Sequence, residues 1–174
     1  MKQILKSERL QLRAIELADA ECIFQWENDS TDWEYGSTMA PYSHRQIEEY
    51  IKNNQSDLFI DRQLRLLAQT HDGNKVGLVD LFNFDPFHSR AYVGVYIDKE
   101  YRGKGYAVEA CKLMIVYARD FMGMHQLVAE VVVSNTASIA LFKQLGFEQT
   151  GVLRQWHRVG GEYRDVLILQ LLFF

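Results

Sequence analysis

The sequence predicts an α/β (α+β) fold with a single mixed, mostly antiparallel central sheet flanked by about four helices. Apolar patterns of strand and helix period follow one another in the order strand, two helices, three strands, helix, strand, helix, two strands. Two turn sequences indicate hairpins between neighbouring strands. Because strands and helices do not alternate regularly, the order excludes a doubly wound dinucleotide-binding fold.

The first half of the chain contains one strand and two helices before the sheet continues. Ser43 has the character of an N-cap, and Gln46 three residues later completes a capping-box pattern, so the second helix begins there and runs to about Asn54. The other segments assigned in this half are a strand over residues 9–15, a helix over 19–28 and a loop over 33–42.

The second half supplies the remaining strands and two further helices. Asp72 and Gly73 tolerate tight-turn dihedrals and predict a hairpin, and Gly160 and Gly161 predict another near the C-terminus. The predicted strands cover residues 62–70, 75–84, 90–98, 127–133, 152–159 and 163–172, and the predicted helices cover 105–121 and 135–145.

Length and composition indicate one globular domain over residues 1–174. The chain is 48% hydrophobic and 24% charged with only two prolines, which suits a packed core and excludes collagenous or disordered chains. The two cysteines, Cys22 and Cys111, lie in apolar periodic segments and indicate reduced core thiols. No signal peptide or membrane-spanning run is visible, so we expect a cytoplasmic protein.

Charge is distributed unevenly along the chain. The net charge of −4 argues against a nucleic-acid partner, which needs a basic face. Seven acidic residues and no Lys or Arg lie between Ala14 and His44. This segment is therefore −7 and the remainder +3, a division that suits either a solvated helix face or two ligands of opposite charge.

The sharpest local motif lies between a predicted strand and a predicted helix. Residues 97–107 read Ile-Asp-Lys-Glu-Tyr-Arg-Gly-Lys-Gly-Tyr-Ala. Gly103 and Gly105 let a ligand approach the main chain, and the free N–H groups of the helix start form an anion cradle that Arg102 or Lys104 assists. A pyrophosphate fits such a cradle, whereas the spacing matches neither a P-loop nor a dinucleotide fingerprint.

A second motif follows at residues 133–147, where Asn135 opens a helix that ends in Leu145-Gly146-Phe147. With Arg102, Gly105 and Ala107 of the first motif, it resembles the signatures of the GNAT superfamily of acetyl-CoA-dependent N-acetyltransferases. The resemblance implies a GNAT-like fold and acetyl-CoA as cosubstrate. It also implies that the coenzyme A is held by Ile97, Arg102, Gly103, Lys104, Gly105, Tyr106, Ala107 and Asn135.

The reaction implied by the resemblance is direct attack of an amine on a bound thioester. An amine with a pKa of about 10 must lose a proton first. The sequence departs from the family at two positions: Phe142 stands where many members have a Tyr general acid, and Tyr92 where many have a Glu base. The residues considered for catalysis are Asp80 and Glu34 as base and Tyr106, or else Tyr92 or water, in place of the missing acid.

The binding site for the amine that accepts the acetyl group is indicated by carboxylates and aromatic rings in one segment. Such a composition suits a cation. Its predicted substrate-binding residues are Glu27, Trp33, Glu34 and Tyr35, with Tyr92 from the sheet. The chain is most similar to the branch with spermidine N-acetyltransferases and ribosomal-protein N-terminal acetyltransferases. This implies a polyamine such as spermidine, with a protein N-terminus or an aminoglycoside as alternatives.

Three further expectations concern partners. The five histidines show no metal-ligand spacing with the cysteines, so no metal is expected. The apolar segment from Leu167 to Phe174 is compatible with a homodimer or with simple core burial. The rival class of function, suggested by Phe142 and Tyr92, is a non-catalytic acetyl-CoA-binding module.

Overall fold

One seven-stranded sheet runs through the computed structural model, which describes residues 4–174. Its strand order is β1-β2-β3-β4-β5-β7-β6, and only β4 and β5 pair in parallel. The strands are β1 (Leu10–Ala14), β2 (Leu64–Thr70), β3 (Lys75–Asp85), β4 (Arg90–Ile97), β5 (Gln126–Val132), β6 (Glu148–Val159) and β7 (Glu162–Leu172). The mixed, mostly antiparallel sheet expected from the sequence is confirmed.

Five α-helices accompany the sheet in the described residues: α1 (Ala20–Glu27), α2 (His44–Asn53), α3 (Leu58–Asp61), α4 (Tyr106–Val116) and α5 (Thr136–Gln144). The sequence prediction lacked α3, a single turn whose Asp57 cap accepts from two backbone N–H groups. The helix predicted to run to Phe121 changes after Val116 into a five-residue π-helical turn. Helix α2 begins as predicted, because Ser43 and Gln46 make both hydrogen bonds of the capping box.

The two faces of the sheet carry separate apolar cores. Helix α4 contributes Met114 and Cys111 to the larger core, which lies against Val79 and Leu127 among others. Helices α1 and α2 cover the opposite face; there Ile23, Trp26, Ile47 and Ile51 meet Leu67 and Leu78. Since side chains alternate along a strand, Arg65, two residues before Leu67, and Asp80, two residues after Leu78, lie on the same face as those leucines.

An ion-pair cluster fixes the start of α1 to the sheet. The carboxylate of Asp19 is 1% exposed and accepts from Arg13 at 2.8 and 2.9 Å, and Lys75 lies 2.8 Å away. Burial of Asp19 would raise its pKa, but the hydrogen bonds from Arg13 and Lys75 outweigh burial and hold the pKa well below its usual range. Asp19 is therefore ionised and structural, and it is not available to a ligand.

The C-terminal strand β7 lies inside the sheet, between β5 and β6. Val166 and Leu169 are buried in it, while Leu172 and Phe174 remain exposed. Core burial therefore accounts for part of the apolar segment that suggested a homodimer. Within residues 4–174, no helix combines the length and apolarity that crossing a bilayer requires.

Candidate active site

Strands β4 and β5 separate in the middle of the sheet. They pair from Arg90 to Tyr92 on β4, opposite Gln126 to Val128 on β5. Beyond that point β4 continues to Ile97 and β5 to Val132 without pairing with each other, while β4 stays bonded to β3 and β5 to β7. The edge of β4 that faces the gap therefore offers main-chain groups to an extended ligand, as a neighbouring strand would use them.

The glycine motif lies directly after β4 and shapes the start of α4. Gly103 and Gly105 have left-handed φ angles of +73° and +82°, which glycine adopts without strain. A Cβ at Gly103 would meet nothing within 4 Å, whereas one at Gly105 would lie 3.3 Å from the Arg9 guanidinium. Gly105 is the N-cap of α4 and supplies no side-chain cap, so the first N–H groups of the helix remain free for a ligand.

The cationic side chains beside this cradle are already engaged. The Arg102 guanidinium donates from Nε to the Ile97 carbonyl at 2.8 Å and from Nη2 to Asp32 at 2.8 Å. Lys104 donates from Nζ to the Glu100 carbonyl at 2.8 Å. The groups that remain available to an anion are thus the main-chain N–H groups of the loop, and binding by the stretch from Arg102 to Ala107 stays a prediction.

Asn135 lies at the start of α5, in the chain segment that leaves β5 on the other side of the gap. Its Oδ1 accepts from the backbone N–H of Ser138 at 3.1 Å and caps the helix. Its Nδ2 donates to no other described residue. Asn135 can therefore cap the helix and still donate an amide hydrogen to a ligand.

A charged cluster lies on the α1–α2 face of the sheet. Arg65 of β2 donates to both carboxylate oxygens of Asp80 on β3, at 2.8 and 3.0 Å, and to Glu27 of α1 at 2.8 Å. Burial lowers the pKa of the Arg65 guanidinium, but the charge and hydrogen bonds of Asp80 raise it by more. The pKa of Arg65 therefore lies above its ordinary value. The cluster holds one cation and two carboxylates, so its net charge is negative. The Arg65 guanidinium lies 5.7 Å from the ring centre of Tyr50, whose hydroxyl is buried and has no partner within the described chain.

Tyr92 lies on the same face of β4, and its ring packs 5.6 Å from that of Phe82. It lines a depression of about 390 Å³ that Gln126, Val128 and Gln170 also border. This depression lies over the paired ends of β4 and β5, next to the point where the two strands diverge. Tyr92 is the last residue of β4 that pairs with β5, so it borders the gap, and its place at the acceptor stays a prediction.

Phe142, which stands at the position of the family's acid, and Tyr106, which was considered in its place, both pack with the larger core. Phe142 is 4% exposed and packs edge-on against Phe147 in the larger core. Tyr106, at the first turn of α4, lies under the Arg9 guanidinium at 4.8 Å and beside Tyr101. Tyr106 packs with the core on the α4 face, whereas Asp80 and Tyr92 lie on the opposite face of the sheet by strand alternation.

The predicted acceptor segment makes more ion pairs and hydrogen bonds to the rest of the protein than its sequence suggested. Glu27 pairs with Arg65, and the indole N–H of Trp33 donates to the Glu27 carbonyl at 2.8 Å. Glu34 forms no ion pair with any described residue, and its hydrogen bond to Tyr35 raises the pKa of that phenol. Of the predicted acceptor carboxylates, Glu34 alone has no cationic partner among residues 4–174.

The residues present fit the coenzyme A expected from the sequence. The fit rests on the two left-handed glycines, the uncapped start of α4 and the unpaired edge of β4. In the part of the chain that the structure describes, no group of three or more His, Cys, Asp or Glu side chains could hold a metal ion. The expectation of a metal-free enzyme remains a prediction.

The family is shown by comparison with known proteins. A family model described as the acetyltransferase (GNAT) domain matches residues 9–148. The chain belongs to the GNAT acetyltransferase family, and it is an acyltransferase that uses acetyl-CoA. The resemblance drawn from Arg102, Gly105, Ala107 and Asn135 is thereby confirmed, as is the fold.

Relatives lie in the branch that the sequence indicated. Spermidine N(1)-acetyltransferase of Escherichia coli (strain K12) is 29% identical over 162 residues, which cover 91% of this chain and 83% of that protein. A putative ribosomal N-acetyltransferase of Bacillus subtilis (strain 168), YdaF, is 26% identical over 181 residues, covering 95% and 92%. The crystal structure of spermidine N-acetyltransferase from Vibrio cholerae with CoA and spermine superimposes with a TM-score of 0.87 at 26% identity, covering 95% and 96%.

Several residues of this site were not found from the sequence. Arg65, the centre of the charged cluster, was absent from the prediction although it is a charge inside an otherwise apolar strand. Trp26 donates its indole N–H to Asp98 at 2.5 Å and joins α1 to the end of β4. An arginine in a buried strand pattern was the one available signal, because such a residue needs a carboxylate partner.

Proposed function

We propose that this acetyltransferase transfers the acetyl group of acetyl-CoA to a primary amine of a polyamine such as spermidine. The observation that carries the proposal is the charged cluster of Glu27, Arg65 and Asp80, which leaves one uncompensated carboxylate on the acceptor face beside β4. A partly buried negative charge favours a cationic substrate. The spermidine N-acetyltransferase relatives support the same acceptor class.

Different residues of this chain would bind the cofactor and position the amine. Acetyl-CoA supplies an activated acyl group, and loss of its thiolate needs little help because a thiol has a pKa of about 8.5. The main chain of Gly103 to Ala107 and the amide of Asn135 would hold the coenzyme. Positioning of the amine beside the acyl carbon would then contribute most of the acceleration, which agrees with the absence of a hydroxyl at Phe142.

The ammonium group of the acceptor must lose one proton before its nitrogen can attack. Both carboxylate oxygens of Asp80 already accept hydrogen bonds from Arg65, which leaves Asp80 poorly placed to take this proton. Asp80 would therefore attract and orient the cation. Glu34, which has no cationic partner in the described residues, or a water would accept the proton. Tyr106 remains a predicted proton donor, although it packs on the α4 face of the sheet.

The test is coenzyme A release measured with spermidine, spermine, aminoglycosides and peptides that copy ribosomal-protein N-termini. We expect turnover with the polyamines and a singly acetylated product by mass spectrometry. Turnover with the peptides alone would favour the ribosomal alternative. Tight acetyl-CoA binding with no turnover on any amine would favour the non-catalytic binding module.

Three broader expectations accompany this function. Residues 1–174 are proposed to be one catalytic domain, and the protein is proposed to be cytoplasmic. A homodimer is retained as a proposal, with the exposed aromatic residues Trp156 and Tyr163 of the β6–β7 hairpin as the contact surface. Analytical ultracentrifugation of the wild type and of Trp156→Ser tests the dimer.

A further inference from the structure

Two ion pairs join the acidic segment after α1 to the loop that forms the anion cradle. Lys99 pairs with Asp29, and Arg102 donates from Nη2 to Asp32 at 2.8 Å. We call these two contacts the seam. The hydrogen bond of Lys99 holds the pKa of Asp29 down at about 2, so that carboxylate is ionised at neutral pH.

The cations of the seam flank the cradle. Arg102 directly precedes Gly103, and Lys99 lies three residues earlier, in the same loop. Both side chains are almost half exposed, at 43% and 47%, so water and salt screen their pairs with Asp32 and Asp29. The pyrophosphate of coenzyme A, with one charge on each phosphate, attracts a guanidinium in the cradle more strongly than one exposed carboxylate does, because it carries more total charge and more acceptor oxygens.

The Arg102 side chain makes two separate hydrogen bonds, so it can exchange one partner while the other holds it in position. Its Nε stays bonded to the Ile97 carbonyl while Nη2 holds Asp32, so the second contact can open and the first remain. The two segments also stay docked when the seam opens, because the Trp26 indole N–H donates to Asp98 at 2.5 Å and Trp26 is 8% exposed. Opening the seam therefore costs two screened ion pairs and the exposed hydrogen bond from Lys99 to Thr31, and no apolar packing.

We propose that Asp29 and Asp32 are internal counter-ions that occupy Lys99 and Arg102 in the free enzyme and lose them to the pyrophosphate when coenzyme A binds. Cofactor binding then leaves the two carboxylates uncompensated on the acceptor side. A cationic acceptor gains affinity from this change, and by linkage the acceptor strengthens cofactor binding by the same factor. This second step rests on the proposed polyamine acceptor, whereas the first step does not.

The first test measures binding of coenzyme A alone by isothermal titration calorimetry. We expect Asp32→Asn to tighten binding about fivefold, because Arg102 no longer has a competing carboxylate. In an Arg102→Gln background, Asp32→Asn should change the Kd by less than about 1.5-fold, since the competition acts through Arg102. An equal effect in both backgrounds would indicate simple long-range repulsion and overturn the proposal, as would no effect in either.

Matched variants keep this cycle interpretable. Asp120→Asn removes the same charge from an exposed pair with Arg119 and should leave the Kd unchanged in both backgrounds. If Asp32→Asn does not fold, as judged by circular dichroism, Asp29→Asn with and without Lys99→Gln forms the equivalent cycle. The same pattern of dependence, now on Lys99, is then the expected result, and its absence contradicts the proposal.

The second test measures the coupling between the two ligands, with coenzyme A in place of acetyl-CoA so that no turnover occurs. Saturating spermidine should tighten coenzyme A binding about fivefold in the wild type and less than about twofold in the Asp29→Asn, Asp32→Asn double variant. If the wild type acetylates spermidine but shows no coupling, the coupling step fails and the proposed function stands. If spermidine is not a substrate, the proposed function fails, and the cycle with coenzyme A alone still decides the role of the seam.

Discussion

Arg65 and Asp80 occupy paired positions on β2 and β3, and the guanidinium donates to both oxygens of the carboxylate at 2.8 and 3.0 Å. The two side chains are about one-fifth exposed. Their geometry is that of a bidentate pair, which is the strongest form of ionic hydrogen bond between these groups.

Asp80→Asn should lower the free energy of unfolding by about 2 kcal/mol, because it leaves a largely buried guanidinium short of one counter-ion. We expect the KM for spermidine to rise and the pH dependence of kcat/KM to persist, since Asp80 orients the cation and does not take its proton. Urea unfolding and steady-state kinetics between pH 6 and 9 measure both effects.

Glu27→Gln is the matched control, because it removes one charge from the same cluster and leaves the Arg65–Asp80 pair intact. It should raise the KM similarly but cost only about 1 kcal/mol of stability. A loss of more than about 100-fold in kcat in Asp80→Asn, together with a flattened pH profile, would instead assign Asp80 as the general base.

Gly105→Ala should weaken coenzyme A binding at least about tenfold. An alanine at this position must adopt the left-handed φ of Gly105, which costs about 1 kcal/mol of stability. Its Cβ would also lie 3.3 Å from the Arg9 guanidinium, beside the cradle. Gly73→Ala is the control, since Gly73 has a φ of +96°, open space around it and a place in the distant β2–β3 turn. Both variants should lose similar stability in urea unfolding, and calorimetry should show weakened binding in Gly105→Ala alone.

Asn135 allows its capping role to be separated from its proposed ligand contact. Asn135→Asp keeps a good N-cap but replaces the amide donor, so stability should hold while coenzyme A binding weakens by about three- to tenfold. Ser43→Ala, at the cap of α2, should cost about 1 kcal/mol of stability with no effect on coenzyme A. Unchanged binding in Asn135→Asp would limit this residue to the helix cap.

Asp19 should make the folded state sensitive to acid. Its pKa lies below the unfolded value of about 3.9, so the unfolded chain binds more protons between those two values and stability rises with pH there. The contribution is complete above the unfolded value and is lost as pH falls through the folded one. Urea unfolding from pH 3 to 6 should show a steeper slope for the wild type than for Asp19→Asn.

The exposed pair of Arg45 with Glu49 supplies the control for this titration. Glu49 is half exposed, so Glu49→Gln should leave the slope of stability against pH close to that of the wild type. Asp19→Asn should also lose about 3 kcal/mol at neutral pH, because Arg13 and Lys75 both lose their buried partner. Equal slopes for the wild type and Asp19→Asn would rule out this origin of acid sensitivity.

Most of the fold was predictable because its signals are local. The Ser43–Gln46 capping box and the turn at Asp72 and Gly73 are set by neighbouring residues, and the structure has both. Helix α3 was not predictable in this way, since four residues are too few to show a helical period and two of them are exposed apolar side chains. Strand β6 begins at Glu148, earlier than expected, because its first residues are exposed and lack alternation.

The site was predictable in part for the same reason. The glycines of the cradle and the cap at Asn135 lie within short motifs, so sequence spacing identified them. The partners of Arg65, Lys99 and Arg102 lie 38 to 70 residues away in the chain, at Glu27, Asp29 and Asp32. Only the docking of α1 and the following segment against the sheet brings these charges together, and no local sequence pattern encodes that docking.

The place of β7 between β5 and β6 has a consequence for how the protein is made. Strand β5 has β7 as its antiparallel neighbour along its whole length, but β7 is synthesised last among the strands. Until residues 162–172 have left the ribosome, β5 and β6 both lack that neighbour and present unbonded main-chain groups to solvent. The sheet therefore closes only after its other six strands have been synthesised, and a nascent chain that stalls before β7 exposes two unpaired strand edges on which other chains can pair.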